Sequence, residues 1–118
     1  MREPSRDPGR LEHILTAIAK VEEYTAGITR EQLEADTMRL HAVCYNIQII
    51  GEAAYMLSLP FKAAHPDTPW RMIEKMRHIL VHDYFAVDFS IVWVVITEDI
   101  PVLKNQISGY LVELKGQE

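Results

Sequence analysis

Apolar residues recur at three- and four-residue steps along most of this chain, and only an α-helix gathers such a series into one buried stripe. Leu11, Ile14, Leu15, Ile18 and Val21 form the first series. Asp7 can cap that helix with Pro8 at its first position, and Gly27 is placed to end it. Thr29 and Gln32 carry the pattern of a capping box for a short helical turn through Leu33. Asp36 can cap a second long helix bearing Leu40, Val43, Ile47, Ile50, Ala54 and Leu57, which Pro60 should stop. Gly51 inside it costs roughly 1 kcal/mol relative to alanine, unless a neighbouring backbone must approach closely there.

The stretch from Pro60 to Pro69 holds three prolines and reads as a loop delivering Trp70 to a third helix, whose buried stripe is Ile73, Met76, Leu80 and Val81. Asp88 can cap a fourth helix, with Phe89, Trp93, Ile96, Ile100, Leu103, Ile107, Leu111 and Leu114 at helical spacing. The β-branched run Ile91 to Ile96 favours a strand locally, but the longer period favours a helix. Pro101 lacks a donor and clashes with the carbonyl of Thr97, so a kink or a split is expected between them. These elements predict an all-α, up-and-down four-helix bundle with a short extra helical turn. Residues 1–118 are expected to form one domain, with 1–7 as a flexible tail.

Composition narrows the function classes. Hydrophobic residues at 48% and charged residues at 25% suit a globular fold rather than a disordered chain. The lone cysteine, Cys44, excludes an intrachain disulfide and lies in an apolar segment, which suggests a buried, inert thiol. The amino terminus has charges and prolines where a secretory signal needs an apolar core, and the longest apolar run is too short to span a bilayer; a cytoplasmic location is expected. The net charge of -5 argues against a general polyanion binder, so any RNA contact must be local.

Reactive groups concentrate in RHILVHDYF, which holds Arg77, His78, His82, Asp83 and Tyr84. At ~100° per residue, Arg77 and His82 stand about 140° apart on an unbroken helix, so one site using both needs a loosened helix, a reaching arginine or a second subunit. A two-fold axis near the motif would bring two of each together. Arginine suits a phosphate that gains negative charge, and histidine can exchange protons near neutral pH; together they suffice for RNA cleavage without a metal. Other readings of the same residues stand beside this one. Arg77 can be a solvated charge, His82 a cation at a helix end and Tyr84 a half-buried anchor. His78 and His82 also have helical metal-ligand spacing, with Glu74 one turn earlier. Glu52, next to Gly51, is either a solvated carboxylate or a group that orients Arg77 from the second helix.

The segment Arg77-x4-His82-x-Tyr84 resembles the R-x4-H-x-Y signature of the HepT-like toxins of the HEPN superfamily. The likeness extends to RDPGRLEHIL, IGEAAYMLS, TPW and the segment from Asp88 to Pro101 with Trp93. It implies a helical bundle that forms a homodimer through the motif region, with metal-independent ribonuclease activity carried by Arg77 and His82 and no cofactor. It further implies a nucleotidyltransferase-fold antitoxin that silences the toxin by transferring AMP to the residue matching Tyr84. His78 departs from the family pattern, where asparagine often follows the arginine, so an assisting role for it stays open, as it does for Glu52. A non-catalytic helical dimer that binds and regulates such a partner is the competing reading, favoured by the acidic charge.

Overall fold

A computed structural model describes residues 3–78 and 88–116 of the chain. All of its regular structure is helical: among the described residues there is no strand. In chain order the helices are α1 (Asp7–Thr25), α2 (Arg30–Ala35), α3 (Thr37–Met56), α4 (Leu59–Ala64), α5 (Trp70–Lys75), α6 (Phe89–Val94) and α7 (Ile100–Gly116). Among the described residues no helix is long and apolar enough to cross a membrane.

The long helices pack as their stripes require. α1 buries Leu11, Ile14, Ile18 and Val21 in one core with Val43, Ile47, Ile50 and Ala54 of α3, and α7 packs on α1 with Ile100, Leu103, Ile107 and Leu111 in the same core. Each fully buried Leu or Ile side chain contributes about 1.5–3 kcal/mol of transfer free energy, which is why the stripes fix the arrangement. The punctuation works as read from sequence. Gly27, in the left-handed region at φ 68°, ends α1. Thr29 and Gln32 form the reciprocal capping box of α2. Asp36 caps α3 by accepting from the Arg39 amide at 3.1 Å, and Asp88 caps α6 by accepting from the Ser90 amide at 2.9 Å.

The β-branched run folds as helix, and Pro101 produces the expected irregularity without breaking the rod. Residues Val95–Asp99 form a π-helical turn joining α6 to α7. There the Ile100 amide bonds back to the Val95 carbonyl, one residue further than in an α-helix. The Thr97 hydroxyl donates to the Trp93 carbonyl at 2.8 Å, so an acceptor is satisfied where the ladder changes register.

Three expectations need correction. Pro60 does not merely stop α3, which ends at Met56; it sits in the first turn of α4, inside the stretch read as a loop. Ser58 caps α4, its hydroxyl accepting from the Phe61 amide at 3.3 Å, and proline is well tolerated in a first turn because its missing donor is unneeded there. Asp7 does not cap its own helix. It is buried, and its carboxylate accepts from the Ser58 amide at 2.9 Å and the Ser58 hydroxyl at 2.6 Å, which staples the start of α1 to the α3–α4 junction. The third helix is also shorter than expected: α5 ends at Lys75 and tightens into a 3-10 turn at Met76–His78. Leu80 and Val81 of its expected stripe lie outside the described residues.

Gly51 answers the question its position raised. A Cβ added there would meet the Arg77 amide nitrogen closer than real Cβ atoms come, with the Ile73 carbonyl oxygen at 3.0 Å and the Met76 carbonyl carbon at 3.1 Å. The obstacles are backbone atoms and cannot rotate away. Gly51→Ala should therefore lower stability by about 1–3 kcal/mol despite its better helix propensity. Gly109→Ala, in open space on α7, should raise it by about 0.5–1 kcal/mol. Urea unfolding of the two variants checks this pair, and a Gly51→Ala midpoint at or above wild type would refute the close approach.

Cys44 is buried on α3, and burial pushes its thiol up to about 11. The reactive thiolate is scarce in the folded protein at pH 8. Iodoacetamide at that pH should modify Cys44 only when denaturant is added, a difference that intact-mass measurement reads directly.

Candidate active site

Arg77 is placed from below by α5 and from the side by α3. The segment Thr68-Pro69-Trp70 anchors α5: the Thr68 hydroxyl donates to Gln106 Oε1 at 2.9 Å and accepts from the Tyr110 hydroxyl at 2.5 Å, which ties the helix start to α7. The Trp70 indole donates to the His65 carbonyl at 2.9 Å and packs edge-on to Phe61, with ring centroids 6.0 Å apart. Trp70, Ile73 and Met76 are buried, so α5 has a defined rotation about its axis. That rotation presents the backbone of residues 73–77 to Gly51.

A partly buried ion pair locks the same corner. Lys62 of α4 is only 8% exposed, and its Nζ donates to the Ala54 carbonyl at 3.2 Å, the Tyr55 carbonyl at 3.3 Å and Glu74 Oε2 at 2.9 Å. The two carbonyls belong to the last turn of α3, where a cation is favoured by the helix dipole; the Ala54 carbonyl also accepts from the Leu57 amide at 3.2 Å. One ammonium group thus joins α3, α4 and α5. Glu74, weighed as a metal ligand beside His78 and His82, is committed to this pair. Among the described residues no group of three or more His, Cys, Asp or Glu side chains is arranged to hold a metal ion.

The Arg77 side chain is half-buried, and its guanidinium carbon lies 3.7 Å from the centroid of the Tyr55 ring. Its Nε donates to His78 Nε2 at 3.1 Å. That contact requires His78 Nε2 to be unprotonated, with any ring proton on Nδ1. Arg77 Nη1 is shielded from solvent and has no hydrogen-bond partner among the described residues. Because a buried donor left unpaired is costly, this is a point where an added oxygen acceptor would be favoured.

The structure therefore brings Arg77 and His78 together, with His78 exposed. Glu52 is exposed and makes no ion pair with Arg77 among the described residues, whereas the Tyr55 ring of the same helix lies against the guanidinium. His82, Asp83 and Tyr84 lie outside the described residues. Tyr55 and Lys62 are the neighbours that sequence reasoning passed over. A signal for Tyr55 existed, since it stands four residues after Gly51 and so on the same face of α3. Lys62 lay in the supposed loop and offered none.

The local charge differs from the overall one. Between Trp70 and His78 lie Arg71, Lys75 and Arg77 against Glu74 alone, and Glu74 is matched by Lys62. Beside this stretch an open apolar groove of about 410 Å³ runs between α5 and α6, lined by Met72, Met76, Ile91, Val94 and Val95, with Lys75, Ser90 and Asp99 at its margins. Met72, Ile91 and Val94 are 46%, 56% and 43% exposed, an unusual concentration of large apolar side chains in water. Asp99 has its carboxyl raised above the ordinary value, mainly by burial and further by the neighbouring Glu98 charge.

Comparison with known proteins places the chain among ribonucleases of one family. The family described as ribonuclease HepT-like matches residues 14–109. A "Probable ribonuclease HepT" of Thermococcus cleftensis is 42% identical over 96 residues, covering 81% of this chain and 87% of that protein. A "Putative RNase" of Caldanaerobacter subterraneus is 37% identical over 101 residues, covering 86% of this chain and 90% of that protein. A "Gamma-glutamylcyclotransferase and putative RNase" of Methanocaldococcus jannaschii is 38% identical over 104 residues, which span 88% of this chain but 47% of that longer protein. No solved structure matches the chain. With the matched region running from α1 to α7 and taking in Gly51, Tyr55, Arg77 and the residues up to Tyr84, the chain belongs to the ribonuclease HepT-like family.

Proposed function

We propose that this protein is the toxin component of a toxin-antitoxin pair and acts as a metal-independent endoribonuclease. The observation that carries the reading is Arg77: a cation held against an aromatic ring with a donor unmatched among the described residues, on a locally basic stretch of an acidic ribonuclease HepT-like chain. Arg77 holds the scissile phosphate and stabilises the charge that builds on its oxygens. One His82 takes the proton from the ribose 2′-hydroxyl as that oxygen attacks phosphorus. The bond from phosphorus to the 5′-oxygen breaks, and a second His82 protonates the departing oxygen. The products are a 2′,3′-cyclic phosphate and a 5′-hydroxyl end, and the chemistry needs no cofactor. Among RNAs, tRNA is the first substrate class to test.

Two copies of His82 call for a homodimer through the motif region. The exposed apolar side chains of Met72, Ile91 and Val94, next to the segment that carries Arg77, support a partner surface there. Silencing follows from AMP transfer to Tyr84 by a nucleotidyltransferase-fold antitoxin, because the added negative charge and bulk oppose entry of an RNA phosphate. The net charge of -5 favours a second reading, a non-catalytic helical dimer that binds and regulates such a partner.

Growth arrest and RNA cleavage by wild type, Arg77→Ala and His82→Ala, each with and without chelator, separate these readings. Both variants should lose cleavage by about 100-fold or more while the chelator changes nothing. Intact cleavage in both variants would sink the assignment, loss on chelation would point to a metal enzyme, and a folded wild type without cleavage would favour the binding module. After incubation with the antitoxin and ATP, mass spectrometry should place AMP on Tyr84; labelling that persists unchanged in Tyr84→Phe would reject the acceptor role.

A further inference from the structure

We propose that Tyr55 is a positioning residue for Arg77, a stacking platform that aims the guanidinium while leaving its donors and charge available. The proposal rests on the reading of Arg77 as the phosphate-binding group. Its geometry stands on its own. A planar guanidinium with its carbon 3.7 Å from a ring centroid lies in face contact, well inside the range for cation–π attraction. Such a contact occupies the face of the guanidinium, whereas its N–H donors lie in the plane and point outward.

The distinction matters chemically. A carboxylate partner, such as the neighbouring Glu52 could have been, would accept from those donors and cancel the charge that an RNA phosphate must meet. A ring restrains the side chain without competing for the ligand. The observed use of the donors agrees: Nε is directed to His78, and Nη1 has no partner among the described residues.

One turn of α3 handles both parts of Arg77. Gly51 admits its backbone, and Tyr55, four residues on and hence on the same face, receives its side chain. The platform is itself braced, because the Tyr55 carbonyl accepts from Lys62 Nζ at 3.3 Å and that ammonium pairs with Glu74 on the helix leading to Arg77. Movement of the Tyr55 backbone relative to the helix leading to Arg77 would have to disturb this pair.

The test uses the full chain. Ring-current displacement of the Arg77 Nε–H resonance, assigned by its disappearance in Arg77→Ala, reads the stacking without reference to activity. Cleavage of an RNA oligonucleotide gives kcat and KM. Tyr55→Leu should abolish the displacement and lower kcat about ten- to a hundredfold, the scale expected for a misplaced transition-state contact, with a smaller change in KM. Tyr55→Phe keeps the ring and should retain the displacement and most of kcat. In an Arg77→Lys background, where the planar partner is gone, Tyr55→Leu should cost less than threefold further. If Tyr55→Leu does not fold, Tyr55→Met fills the space in its place. An undisplaced Arg77 resonance in wild type overturns the platform, as does a folded ring-less variant with wild-type kcat or an equal loss in the Arg77→Lys background. Wild-type cleavage by Arg77→Ala would instead remove the catalytic reading, with the resonance still judging the stacking.

Discussion

The site depends on two backbones coming closer than any side chain would permit. At Gly51 the central helix α3 meets the chain at Ile73, Met76 and Arg77, and only the absence of a Cβ allows it. The contact holds the end of α5 and the 3-10 turn after it against a rigid helix, so the direction in which Arg77 leaves the backbone is set by the core. A glycine in a helix interior carries an entropic cost. Here that cost yields a close-packed junction between the central helix and the segment that carries Arg77.

Around that junction the charges are arranged for two different ends. Lys62 is buried and pairs with the half-buried Glu74, its ammonium also donating to carbonyls at the end of α3, so the pair holds α3, α4 and α5 in register. Asp7 plays a comparable part at the α3–α4 junction, where its carboxylate receives both the amide and the hydroxyl of Ser58. Arg77 is handled otherwise. It is placed against an aromatic face and keeps a donor unmatched among the described residues, the arrangement suited to a cation whose counter-charge arrives from outside. In a chain of net charge -5, this local contrast is what makes an encounter with a phosphate reasonable.

The far wall of the same region is built by a compromise in the last helix. Pro101 cannot donate, and the rod absorbs it by widening to a π turn over Val95–Asp99 instead of breaking. α6 is thereby joined to α7 without a loop, and Ile91, Val94 and Val95 line the groove together with Met72 and Met76 of the motif-bearing segment.

Local sequence determined most of the helical framework, because period and capping act over a few residues. The stripes of α1, α3 and α7, the turn at Gly27, the capping box at Thr29 and Gln32, and the caps at Asp36 and Asp88 all follow from nearest-neighbour physics. The same rules misjudged Pro60 and Asp7, since a proline reads alike as a stop or a first-turn residue and an aspartate alike as a local cap or a distant acceptor. Which applies is decided by Ser58, a residue fifty-one positions from Asp7 whose partnership no local pattern encodes. The reactive segment was legible as a cluster of residue types, and the need for something to orient Arg77 was legible too. That Arg77 lies against the Tyr55 ring and makes no ion pair with Glu52 among the described residues could come only from tertiary structure, because the rotation of α3 against α5 is fixed by the buried faces of both helices and by Gly51, where their backbones come close.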